Sequence, residues 1–282
     1  MCSERCDPGA AGNPFSRDYR KKYLHKDDAY LSVPTPFERL ATRFNSAILK
    51  ARLPAGSSVL DVGCNKGFLL AALPGHRRVG MDLSFGFRSP GATYVIGDAE
   101  ALPFRAGGLD AVVLAEVVEH LPDCQACYLE VRRVLRQGGL ILLTHPNKEN
   151  PLQQTIEAVK ENRWVRRVLG RSLYVGDQHM REYSFRDTRG ELEALGMTLL
   201  DCRTPSLGLT RFLSPLIYGR FRCERLFPLI TKLGELEAKI ALSIGRFSLA
   251  LPGDYAMLFR KGSLLSGAGD EPASGGSQRK TT

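Results

Sequence analysis

The chain has 282 residues, 43% hydrophobic and 24% charged, with a formal net charge of +9. That is enough for one large domain with a sizeable insertion and a buried core. No run of apolar residues is long enough to predict a transmembrane helix, and the first residues lack the apolar stretch of a secretory signal, so a cytoplasmic protein is expected.

The seven cysteines are scattered and odd in number, which does not fit a disulfide framework. Cys124 and Cys127 form a CxxC with no second pair, a poor zinc or redox signature. The basic balance suits anionic partners, or simply a solvated surface. No compact RNA-binding motif accompanies it, so nucleic acid is not the expected partner.

In chain order, residues 1–14 read as a disordered tail and 15–262 as one domain, with a second disordered tail over 263–282. Residues 57–63 (SSVLDVG), 78–83 (RVGMDL), 93–98 (TYVIGD), 109–117 (LDAVVLAEV) and 140–145 (LILLTH) are short apolar runs with the pattern of buried parallel strands. Helical patterns occupy 67–73 and about 124–136 between them. This alternation predicts an α/β protein whose open, mostly parallel sheet is doubly wound, with helices on both faces. Segment 185–196 predicts a helix closed by Gly196. Two final strands follow, at 197–203 and 254–260.

Between those strands, 205–253 is a helical insertion. It carries an approximate stripe of Leu226, Leu229, Ile230, Leu233, Leu236, Ile240 and Ile244, preceded by Arg211, Arg220, Arg222 and Arg225. A lid over a lipophilic substrate, a peripheral membrane contact and an extra packed layer all fit that pattern. Trp164, among arginines, is expected to pack inward or to stack on a substrate.

The chemistry concentrates at strand ends. VLDVGCNKG (59–67) places Asp61 at the end of a strand, followed by Gly63 and Gly67 in a turn that leads into a helix. Glycine there lets the backbone turn tightly and approach a ligand. Asp82, nineteen residues after Gly63, closes the second strand and suits a ribose diol. Asp98 closes the third, where a carboxylate can accept from an adenine amino group. A dinucleotide-binding dehydrogenase would want GxGxxG and a helix N-terminus open to a pyrophosphate. Asp61 would repel that group but suits the cationic end of a ligand.

VLDVGCNKGFLL, GMDLS, GDAEALPF, LDAVVLAEVVEHLPD and RVLRQGGLILLTHPN, in this order over residues 55–203, resemble the class I methyltransferases that use S-adenosylmethionine (SAM), in the broad group of ubiquinone-type O-methyltransferases. The resemblance implies a seven-stranded Rossmann-like sheet with a helical N-terminal cap over the site. Tyr19, Tyr23 and Tyr30 of the cap could line a pocket or simply pack. It implies SAM as cofactor, with Asp61, Gly63, Cys64 and Gly67 at its methionine end, Asp82 on the ribose, and Leu83, Asp98 and Ala99 at the adenine. Glu116 would lie beside it. Asn65-Lys66, where many relatives carry small residues, is expected to change local packing rather than binding.

For catalysis the candidates are Glu119, His120 and His145. Transfer to oxygen needs a base or a metal, or positioning alone where the acceptor is reactive. The expected assignment holds no metal. In the alternative, taken by resemblance from ubiquinone-type O-methyltransferases and from enzymes that methylate RNA 2′-hydroxyls, Glu116, Glu119 and His120 hold a divalent ion, joined in the RNA enzymes by a later histidine, here His179. The expected activity is methyl transfer to a small or lipid-like acceptor at oxygen. RNA 2′-O-methylation and a non-catalytic SAM-binding scaffold are the rivals.

Overall fold

The computed structural model describes residues 36–85, 88–147, 181, 183–204, 226–243 and 255–262. Both tails, Tyr19, Tyr23, Tyr30, Trp164, His179 and the arginines at 211–225 lie outside the described residues.

Helix α1 (Pro36–Lys50) leads into β1 (Ser58–Val62), α2 (Phe68–Ala71), β2 (Arg77–Asp82), β3 (Thr93–Ile96) and β4 (Leu109–Ala115). A 3₁₀ turn (Val118–His120), α3 (Cys124–Val134) and β5 (Leu135–His145) follow. Then come α4 (Phe185–Ala194), β6 (Met197–Arg203), α5 (Phe227–Ser243) and β7 (Tyr255–Lys261). The seven strands form one sheet in the order β3-β2-β1-β4-β5-β7-β6. β1 to β5 run parallel, and β7 is antiparallel to both its neighbours. The expected doubly wound, seven-stranded α/β sheet is therefore what the chain forms.

Side-chain alternation divides the core into two layers. Val59, Ala111, Val113 and Leu142 face Leu49 of α1 and Leu69 of α2. Leu60, Val112, Ile141 and Phe259 face the other way, onto Tyr128 and Val131 of α3 and Leu192 of α4. Each fully buried leucine or isoleucine contributes roughly 1.5–3 kcal/mol, so these two layers hold the sheet between its helices.

Two boundaries differ from the sequence pattern. α3 ends at Val134 and β5 starts at once with Leu135, which pairs with Leu109 before the register shifts to Ala111–Leu140. The apolar run at 140–145 is only the buried inner half of that strand. α4 begins with a capping box in which Ser184 and Asp187 satisfy each other's backbone N–H, and it is closed two residues past its last turn by Gly196, whose φ is +71°. Cys124 and Cys127 are buried free thiols, and burial raises both above the ordinary thiol range, which fits core packing.

Among the described residues no helix is long and apolar enough to cross a membrane.

Candidate active site

The crevice forms where β1, β2, β3 and β4 end side by side, the place at which open α/β sheets bind ligands. After β1 the chain makes three left-handed steps at alternate residues: Gly63 (φ +66°), Asn65 (φ +46°) and Gly67 (φ +72°). Asn65 thus does conformationally what a glycine would do, since asparagine tolerates this region better than most side chains. The N–H groups of Gly63 and Cys64 both bond to the Met81 carbonyl at 2.8 and 3.1 Å, pinning the turn to the end of β2.

The glycines are also sterically required. A Cβ on Gly63 would lie 2.7 Å from a Val117 methyl, and one on Gly67 would sit on the Tyr94 hydroxyl. Tyr94 is held there by its bond to the Ser89 carbonyl, 2.8 Å. Lys66 is buried, with Nζ 3.9 Å from Glu38 of α1 and over the Phe68 ring. The Asn65-Lys66 departure therefore alters packing locally, tying the turn to α1.

Asp82 is oriented by two backbone donors. The Asn65 N–H bonds one oxygen and the Leu83 N–H the other, both at 2.8 Å. Asp61 is almost completely buried beside it. Burial first, and then the Asp82 charge, push the Asp61 carboxyl up to about 8. Burial, followed by the Asp61 and Asp82 charges, also raises the Cys64 thiol, so Cys64 is a packed neutral group. Asp98 accepts the Glu100 N–H at 3.0 Å, and Ala99 is buried behind it. Asp61, Gly63, Cys64, Gly67, Asp82, Leu83, Asp98 and Ala99 are thus gathered around the ends of β1–β3.

At the end of β4, Glu116 has φ +57°, which costs a non-glycine residue on the order of 1–3 kcal/mol. Its N–H bonds the Thr144 carbonyl at 2.9 Å, and the Thr144 hydroxyl lies 3.4 Å from its carboxylate. This sharp turn swings Val117 over Gly63 and begins the 3₁₀ turn that carries Glu119 and His120. Glu119 is buried, while the His120 side chain keeps 12% exposure with Nε2 4.0 Å from the Glu119 carboxylate.

His145 is placed differently. It is 0% exposed, caged by the Tyr183 and Tyr255 rings. Nδ1 lies 2.7 Å from the Pro146 carbonyl, which can only accept, so Nδ1 carries the proton. Nε2 then accepts from the Thr188 hydroxyl at 2.9 Å. Both nitrogens are engaged inside the core, so His120 is the histidine that the fold presents near the crevice. Among the described residues no group of three or more His, Cys, Asp or Glu is arranged to hold a metal ion.

Sequence reasoning missed Asn65 as a left-handed position, the strained Glu116, and the covering roles of Val117 and Tyr94. Asparagine two residues after a turn glycine was a usable signal for the first. The others depend on which strand lies next to β1.

At the opposite ends of β4 and β5 lies a cavity of about 310 Å³ lined by Arg52, Asp110, Arg136 and Arg260 among others. None of the candidate site residues lines it.

Residues 60–143 match a family model described as a methyltransferase domain. Two curated relatives are each 30% identical. One is the 2-methyl-6-phytyl-1,4-hydroquinone methyltransferase of a Synechocystis species, aligned over 55% of this chain and 52% of that protein. The other is the tRNA (carboxymethyluridine(34)-5-O)-methyltransferase of Arabidopsis thaliana, over 45% of this chain and 33% of that protein. A third, the phthiotriol/phenolphthiotriol dimycocerosates methyltransferase 1 of Mycobacterium ulcerans, is 32% identical over 36% of this chain and 41% of its own. The chain thus spans between a third and about half the length of these relatives. Among solved structures, the 4+2 cyclase SpnF aligns over 85% of this chain and 86% of its own, with a TM-score of 0.51 and 18% identity. That likeness concerns the fold alone, and a cyclase on this fold shows that the scaffold does not dictate the reaction.

Proposed function

We propose that this chain is a class I SAM-dependent methyltransferase that methylates an oxygen of a small, lipophilic acceptor; the match of residues 60–143 to a methyltransferase-domain model supports the family half of this reading. The observation that carries the cofactor half of this reading is the pair Asp61 and Asp82 at the ends of adjacent strands. Two close carboxylates, one of them buried and raised to about 8, favour a ligand with positive charge. SAM fits that demand, and an anionic pyrophosphate does not.

The residues divide the work as follows. Asp82, fixed by the Asn65 and Leu83 N–H groups, presents a carboxylate with about four acceptor sites in all to a ribose diol. The turn at 63–67 brings backbone close to the ligand without a Cβ in the way. Asp61 faces the ammonium of the methionine end, and Asp98 accepts from the adenine amino group. Bound SAM supplies an electrophilic methyl group on a sulfonium. His120 takes the acceptor hydroxyl proton, and the Glu119 carboxylate 4.0 Å away favours the imidazolium that results.

The lipophilic acceptor is supported by two relatives named for a phytyl-bearing hydroquinone and for dimycocerosates. The relative named for tRNA, together with the net charge of +9, supports a second reading in which the acceptor is RNA. Transfer of label from SAM to alkylated hydroquinones and to tRNA transcripts, measured side by side, separates them. Label in the hydroquinones alone is the expected result. Label in tRNA alone replaces the proposal by the RNA reading. SAM binding by calorimetry without transfer to either points to the scaffold role.

A further inference from the structure

α5 is turned the wrong way round for a helix that serves only as an extra packed layer. It lies against α1, with Arg43 of α1 paired to Glu235. The face it buries is made of Ile230, Gly234 and Glu237. The face it exposes is Leu229, Leu233, Leu236 and Ile240, continued by Leu226 just before the helix, each 39–55% accessible. Alternate spacings of three and four residues put these five side chains in one row about 20 Å long. A globular helix normally does the reverse, and a continuous exposed apolar row marks an interaction surface.

The charges around that row identify what it faces. At about 100° per residue, Lys232 and Lys239 fall between the leucine row and Glu235. Both lysines are exposed. Next round comes the outward row of α1, where Arg39, Arg43 and Lys50 are exposed. The helix has two acidic residues, and neither is on the apolar face: Glu237 is buried and Glu235 is taken by Arg43. Leucines bordered by snorkelling lysines and then by arginines match the acyl boundary and the headgroups of an anionic bilayer.

We infer that the α5 face, with the basic row of α1 beside it, docks the protein on the surface of an anionic membrane. The contact is peripheral, and it stands apart from the methyl-transfer reading because none of its residues belongs to the crevice.

The test is co-sedimentation of the full chain with vesicles of phosphatidylcholine alone and of phosphatidylcholine mixed with phosphatidylserine. Binding to the mixed vesicles is expected, falling as salt rises. Leu233→Glu/Leu236→Glu should weaken it at least tenfold. Lys232→Gln/Lys239→Gln should weaken it by about fivefold for each charge removed. Unchanged melting temperature and SAM affinity show that the variants fold, and Leu229→Ser/Leu236→Ser replaces the first variant if it does not. Wild-type protein that stays in the supernatant with both vesicle types overturns the inference. So does vesicle binding that the leucine variants leave intact, or a dimer without vesicle binding that they dissociate. None of these results bears on transfer to a soluble acceptor, which is measured separately.

Discussion

Carboxylates at the two ends of the same sheet meet opposite surroundings. At the start of β4, burial works to raise Asp110. The Ser58 N–H and the Arg136 guanidinium outweigh it and hold the carboxyl below its ordinary value. Arg52 of the same cavity lies 3.8 Å from Asp201. At the other end, Asp61 has burial and the Asp82 charge acting together, and it is driven up. One end supplies its own countercharge, whereas the other gathers two acidic groups in a crevice. Stability accounts for the first arrangement. The second lowers stability in the absence of a ligand, and a cationic ligand would relieve it.

The largest expected effect at the crevice comes from Asp82→Ala. It removes the diol acceptor and leaves the Asn65 and Leu83 N–H groups without their carboxylate. Calorimetry should find SAM binding weakened by roughly 100-fold or more. Equal affinity in wild type and variant would break the assignment of the crevice.

His120→Ala should lower kcat by about 10²–10⁴-fold while the SAM dissociation constant stays the same. A variant that keeps its kcat would return catalysis to positioning alone.

Gly67→Ala combines a collision with Tyr94 and a φ of +72°. Urea unfolding should show a loss of about 2–3 kcal/mol. Adding Tyr94→Phe should recover the part due to the hydroxyl and leave the backbone cost.

The contrast in charge also predicts pH dependence. The unfolded Asp61 ionises near 3.8, and the folded one holds its proton to about 8. Its contribution to stability is therefore fully present below 3.8, declines as pH rises, and is gone above about 8. Asp61→Asn should flatten this fall in thermal denaturation. SAM binding near pH 7 should release protons, seen as a dependence of the calorimetric heat on buffer ionisation. Asp110 works in the other sense, contributing stability that is lost as pH drops through its lowered value.

The smallest effect is at the turn itself. Asn65→Gly should change stability by less than about 1 kcal/mol, whereas Asn65→Ala should cost roughly 1–2. An equal cost for both would mean that the side chain, rather than the left-handed backbone, matters there.

Much of the crevice was readable because its determinants are local. A strand needs a short apolar run, and the residue just after it falls at the sheet's end whatever the rest of the chain does. Asp61, Asp82, Asp98 and Glu116 could therefore be placed from their positions relative to those runs. His145 shows the limit. It also closes a strand, but β5 lies beside antiparallel β7, and Tyr183, Thr188 and Tyr255 come from distant segments to enclose it. No pattern near His145 carries that information.

The insertion marks the same boundary. Its periodicity predicted a helix and an apolar stripe, and the helix is there over Phe227–Ser243. Period alone did not decide which side of it would be buried: α5 packs beside α1, Ile230, Gly234 and Glu237 are buried, and the leucines stay outside. The sequence by itself determined strands, turns and the acidic residues at strand ends, because these follow from period, burial and backbone preference within a few residues. Only the tertiary structure decided which histidine is sealed in the core, which carboxylate is raised, and which helix face is left exposed. Each of those depends on neighbours brought in from elsewhere in the chain.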